Sequence, residues 1–405
     1  MTRVNSILII SIILMIGYAV RASSTTDLQT ETEDNMKSAK EPANNLIHVD
    51  VTRTYSNRKE LILQDFMDVE YVVLETKEGF NNDGYIRAVG DEFILTTNTL
   101  NDGDIFVYDR TGKALRKINR QGQGSEEYSR IPRLITLDEE NNEMFINDLQ
   151  KKLIIVYDLY GNFKRSFRFP EETMLYFVTY NYDKDNLIGY DWMKEKIGFL
   201  LISKQDGSIT KEIKIPFKEK ILPIKTMINS NGTYQWATID YYRSIIPYQN
   251  NLLLLEISSD TVYTFLPDYS LRPFVVRTPS VTSMDPEILL IFSMLSDRYY
   301  FFETIRNEYN FSTRMGYRRG YFIYDTQEES FSGYNLYNGD YSIKREIDME
   351  MSSLVDREIE KWRPLTADLL LEDYANGHLT GKLREIASNL KRGDNPVIML
   401  IKHKK

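Results

Sequence analysis

The sequence has 405 residues, 42% hydrophobic and 27% charged, with 28 Tyr and 19 Phe. That length suits two domains or one large repeat fold, and the Tyr-rich composition leans toward β structure. The net charge of -9 has no basic run to offset it, which argues against nucleic-acid binding, and the absence of cysteine excludes disulfides, thiolate zinc sites and a Cys nucleophile.

At the N-terminus Arg3 precedes an apolar run, Ile7 to Ile16, broken only by Ser11. Small residues follow, with Val20 and Ala22 placed as cleavage-site residues, so 1–22 reads as a secretory signal peptide. An uncleaved anchor from Val4 to Val20 is the alternative, and membrane association is expected only through it. Residues 23–60 read as a disordered or extended tether, most clearly the polar, aperiodic stretch 23–45. The remainder, 61–405, is the folded part.

A strand candidate, Val69 to Leu74, opens that part. A repeat then organises the chain. Ile105–Ile118 contains Tyr108-Asp109 and Gly112, and Ile154–Phe167 matches it at six of fourteen positions, with Tyr157-Asp158 and Gly161 in register. Each unit reads as strand, tight turn, strand, the glycine supplying the positive φ such turns demand. Weaker copies run over Leu200–Ile213, Thr261–Leu271 and Tyr321–Asp325. In the copy at Thr261, Tyr269 replaces the glycine, so a different turn is expected there.

A further strand-like run precedes each copy: Asp91–Leu95, Asn142–Ile146, Asn186–Ile188, Asn250–Leu254 and Arg298–Phe302. Repeated units of four short strands are the mark of a β-propeller. Five units fit between about 84 and 340. The sixth is expected to combine Val69–Leu74 with a closing strand at about 395–402, which removes an exposed edge. Between them, residues 344–393 lose the β pattern. Leu383, Ile386, Ala387 and Leu390 share a helical face, so a short helical insertion is expected. The fold class is therefore all-β: a six-bladed β-propeller with a helical insertion near the C-terminus.

Several segments resemble a known family. The run Arg120-Gln-Gly-Gln-Gly-Ser-Glu-Glu-Tyr128, the strand ending Leu74-Glu75-Thr76, Ser259–Tyr263, the aromatic stretch Arg298–Thr304 and the terminal Asp394–Leu400 together resemble the six-bladed propellers common in Bacteroidetes cell envelopes, relatives of NHL-repeat propellers. The resemblance spans about 60–402 and implies a fold and a periplasmic or cell-envelope location. It implies no reaction. Two departures stand out. Ser125 and Glu126 replace the Pro and Gly usual in that loop, and the lipobox Cys frequent in the family is missing, so this chain is not a lipoprotein by that route.

Gly122-Gln-Gly124 lacks the Lys-Ser/Thr of a phosphate loop. The three histidines, His48, His378 and His403, are scattered, and neither a zincin motif nor a hydrolase elbow is present. No cofactor is expected. Calcium held by carboxylates is the one metal the composition allows, although Asn101-Asp102-Gly103-Asp104 reads as a solvated turn. Propellers bind ligands at the channel mouth, through loops joining the blades. The candidate ligand-binding residues are Arg120, Tyr128, Trp192, Trp236, Arg243, Arg298 and Glu303, aromatic faces and charges able to hold a sugar ring or an anionic group. The expected function is an exported binding or scaffold protein whose partner is an envelope glycan, peptide or protein. The alternative is a metal-dependent hydrolase or lyase of lactonase type.

Overall fold

Four apolar residues in succession, as in Ile154–Tyr157, bury both faces of a strand at once. Strands of that kind need a neighbouring sheet on each side, and radial packing of sheets supplies it. The computed structural model describes residues 46–404 apart from 99–101, 131–133, 170–176, 197, 240–241 and 348–358. The expected signal sequence and most of the expected tether lie outside these residues.

Six sheets surround a central channel. Blade 1 comprises Tyr85–Val89, Phe93–Thr97, Asp104–Asp109 and Ala114–Asn119, in antiparallel order from the inside outward. Blade 2 follows with Ile135–Asp138, Glu143–Asp148, Leu153–Asp158 and Phe163–Arg168, and blade 3 with Phe177–Asn181, Asn186–Asp191, Phe199–Ser203 and Ile209–Ile213. Blades 4 and 5 run from Ile245–Tyr248 to Leu271–Thr278 and from Ile288–Leu295 to Ser330–Tyr337. Blade 6 draws on both ends of the chain: Val397–His403 lies between Ile359–Leu365 and Met67–Val73, and Val397 pairs with Val73, His403 with Met67.

Six apolar clusters fill the six gaps between blades. The one that closes the ring joins Val72, Ile398 and Leu400 of blade 6 to Ile86, Ile94 and Phe106 of blade 1. Asn395 seals the same junction. Its Nδ2 donates to the carbonyls of Phe80 and Glu75, and its Oδ1 accepts from the Asn82 N–H.

The repeat is visible in the turns. Gly112 and Gly161 have φ of 88° and 87°, and each donates its N–H to the aspartate three residues earlier. The fourth copy corrects an expectation. Tyr269 adopts φ 67° and donates to the Leu266 carbonyl, so the same turn is kept with a tyrosine in the left-handed region.

Two segments differ from their sequence assignment. Ile47–Asp50 and Arg58–Ile62, placed in the tether, are parallel edge strands on the outermost strands of blades 4 and 5. They are short and flanked by polar residues, so their pattern is weak, yet Val49 and Leu61 are buried. The stretch 344–393 does contain two short helices, Ala367–Ala375 and Gly381–Ala387, but also the strand Ile359–Leu365. Both helices bury Leu370, Leu383 and Ala387 against Val397.

Candidate functional site: a cavity at one mouth of the channel

The innermost strands of blades 1–3 run from the interblade connections toward the opposite side of the ring. Where they end, a cavity of about 560 Å³ opens, lined by Arg87, Thr136, Thr179, Tyr180, Asn181 and Glu140 among others. Its wall is built by interblade hydrogen bonds. Thr136 Oγ1 donates to the Thr179 carbonyl at 2.9 Å, and Asn147 Nδ2 reaches Thr179 Oγ1 at 3.2 Å. Within blade 1, Arg87 Nε donates to Thr97 Oγ1 at 2.7 Å.

The rim is shaped by a carboxylate. Glu139 accepts the backbone N–H groups of Asp91, Glu92 and Phe93 at 2.7–3.0 Å, which locks the first turn of blade 1 to blade 2. A Cβ on Gly90 would meet that carboxylate at 2.3 Å, so a side chain here would displace Glu139 from these N–H groups. Asp183 caps the corresponding turn of blade 3 through the N–H groups of Asp185 and Asn186. Glu140 and Asn181 are exposed and make no side-chain hydrogen bond to other described residues. Both are polar groups left open to a ligand.

Tyr180 forms part of the cavity wall. Burial lifts its hydroxyl pKa to about 12, with Arg243 opposing and Glu360 reinforcing the shift. Those two charges form a buried pair joining blades 4 and 6. Arg243 Nη1 bonds Glu360 Oε1, Arg243 Nη2 bonds Oε2 at 3.3 Å, and the Leu295 N–H of blade 5 donates to Oε1 at 2.8 Å. Burial acts to raise the Glu360 carboxyl, but Arg243 and His403 hold it below its ordinary value.

None of the seven candidate residues lines this cavity. Arg120 and Tyr128 lie at the other end of the ring, on the connection from blade 1 to blade 2. Tyr128 is fully buried and donates to the Gly103 carbonyl at 2.6 Å, while Arg120 Nε clamps the Gly161 carbonyl at 2.8 Å. Trp192 packs in the core between blades 3 and 4. Trp236 is exposed on a hairpin outside the blades. Arg243 occupies the buried pair just described. Arg298 binds Asp325 at 3.0 Å, and Glu303 pairs with Arg319 on the neighbouring strand of blade 5.

The missed residues share a signal. Each lies on or beside the short strand that precedes the recognised strands of a unit by one tight turn, as Thr136 precedes Glu143–Asp148. The Gly122–Gly124 loop is fastened by Lys151 Nζ on the Gly124 carbonyl and by Gly124 N–H on Glu127, as a connection between blades. In the turn read as solvated, Asp102 and Asp104 accept from Asn98 and Asn119. Among the described residues, no three His, Asp or Glu side chains assemble into a metal-binding group.

Comparison with known proteins agrees on the fold. A Bacteroides fragilis protein described as exported is 14% identical, with 89% of this chain and 100% of that chain covered at a TM-score of 0.57. A DUF4221-family protein from Bacteroides vulgatus is 10% identical, with 84% and 99% covered and a TM-score of 0.44. No curated protein matches. The family match extends over residues 46–402, from the first edge strand to the closing strand, and by it this six-bladed propeller belongs to DUF4934, a domain of unknown function.

Proposed function

We propose that the protein is an exported propeller of the cell envelope that binds a glycan in the cavity at the ends of the blade 1–3 inner strands. The observation that carries this reading is the cavity itself. Its size accommodates a few sugar units, and it combines the face of Tyr180 with the open polar groups of Asn181 and Glu140. An aromatic face beside donors and acceptors suits the alternating apolar and hydroxyl surfaces of a sugar ring. The signal sequence at 1–22 and the likeness to a protein described as exported support the location. The metal-dependent hydrolase or lyase lacks support, since no donor cluster for its ion is formed among the described residues.

Calorimetric titration of the full chain with envelope oligosaccharides tests this reading. Asn181→Ala and Glu140→Ala should each weaken binding about tenfold, the worth of one lost hydrogen bond. Their thermal unfolding should stay unchanged, because neither side chain holds the fold. Affinity indifferent to both substitutions would remove the ligand from this mouth.

A further inference from the structure

Two hairpins project from the ring without belonging to any blade. Ile224–Ile228 pairs with Tyr234–Thr238 on the connection from blade 3 to blade 4. Tyr309–Asn310 pairs with Met315–Gly316 between the second and third strands of blade 5. Both stand on the connection side of the ring, away from the glycan cavity, and Tyr317 Oη joins them by donating to the Ala237 carbonyl at 2.7 Å.

Their exposed surface is unusual. In the longer hairpin Ile228 faces Tyr234 across the pair and Thr226 faces Trp236, so these four side chains share one face. Ile228 and Met315 are each 69% exposed, Tyr234 58% and Trp236 55%, which places four of the six most exposed large apolar side chains of the described residues on these two hairpins. Scattered apolar residues need no explanation, but a cluster at projecting tips marks an interaction surface.

The charge around the cluster selects its partner. Segments 224–239 and 309–320 hold Lys225, Arg314, Arg318 and Arg319 and no acid, in a chain whose net charge is -9. The acids at the base are matched: Glu287 to Lys225 at 3.6 Å, and Glu308 to Arg306 at 2.8 Å. Arg319 is taken by Glu303. Arg314 and Arg318 remain exposed, with no ion pair among the described residues. Trp and Tyr prefer the membrane–water boundary, Ile and Met partition into the acyl region, and arginines draw such a surface to anionic headgroups. No helix among the described residues is long and apolar enough to cross a bilayer, so the contact would be interfacial.

We propose that the two hairpins form a docking surface for an anionic lipid membrane, seated through Ile228, Tyr234, Trp236 and Met315 and oriented by Arg314 and Arg318. Docked in this way, the ring turns its glycan cavity away from the lipid. The proposal is independent of what that cavity binds.

The test uses the emission of Trp236 in the full chain, obtained as the difference from Trp236→Phe, since Trp192 and Trp362 lie deeper. Vesicles of phosphatidylglycerol should shift this emission to the blue, and brominated acyl chains should quench it. Ile228→Ser combined with Met315→Ser should raise the lipid concentration for half-binding about tenfold or more. Arg314→Gln with Arg318→Gln should reduce the salt sensitivity, and this pair gives the answer if the apolar variants fail to fold. All these proteins share one N-terminal segment, so the differences belong to the hairpins. No shift of Trp236 emission with vesicles overturns the proposal. So does an equal response to phosphatidylcholine alone, or a response confined to an acidic polysaccharide.

Discussion

Tyr269 holds a conformation that L side chains adopt at a cost of about 1–2 kcal/mol. Its ring lies under Lys211 Nζ at 4.6 Å and beside Phe265, and these contacts accompany the strained turn. Replacement by Ala and by Gly loses the same contacts, so comparison of the two isolates the backbone. Tyr269→Gly should be more stable than Tyr269→Ala by about 1 kcal/mol in denaturant unfolding. Asp325 carries a second residue-scale expectation. Burial acts to raise its pKa, but Arg298, Lys59 and the N–H groups of Gln327 and Glu328 outweigh this and hold it at about 2 against an ordinary 3.8. The charged form is favoured by folding, so the stabilisation is complete above 3.8 and disappears as pH falls toward 2. Asp325→Asn should therefore cost about 2 kcal/mol at neutral pH. That penalty should fade over the same acid interval when unfolding is followed as a function of pH.

At the scale of elements, the segment before blade 6 acts as a strap. Ile47–Asp50 covers the edge of blade 4, Arg58–Ile62 that of blade 5, and Met67–Val73 becomes the outer strand of blade 6. Lys59 pins the middle of this strap to Asp325 at 2.9 Å, and Leu61 enters the core between blades 5 and 6. Leu61→Ala should destabilise the protein by about 2–3 kcal/mol, the usual cost of such a truncation in a core. A cost below 0.5 kcal/mol, roughly the scale of a surface substitution, would mean that the strap is dispensable. Blades 1–3 have no added strand, and their outer strands carry Arg116 and Lys117, Lys164 and Arg165, and Lys211. Charges of this kind oppose edge-to-edge association. The hairpin pairs of blades 1 to 4 were legible because a turn residue and a double-faced apolar run repeat together. The two edge strands of the strap and the inner strands of blades 1 to 4 were not, since their own patterns are only four to five residues long, and the edge strands find their partners far along the chain.

For the whole molecule, closure is the decisive event. Val397–His403 is the middle strand of blade 6, so a chain ending after Asn395 would leave Met67–Val73 and Ile359–Leu365 without a partner between them. Such a truncation should abolish the single cooperative unfolding transition and promote aggregation, seen by calorimetry and light scattering. A truncated chain that still unfolds in one sharp step would show that the ring does not depend on this strand. The sequence alone was sufficient for the repeated hairpins, the number of blades and the shared sixth blade, because these follow from short-range patterning and from the need to cover two strand edges. Tertiary structure alone decided which mouth of the channel holds the cavity and what became of the charged candidates. Arg243 and Glu360 are 117 residues apart, and no local pattern records that they meet. A buried charge finds its partner only when the blades have closed around it, and so the same residue reads from sequence as a free ligand group and is in the folded ring a tie between blades.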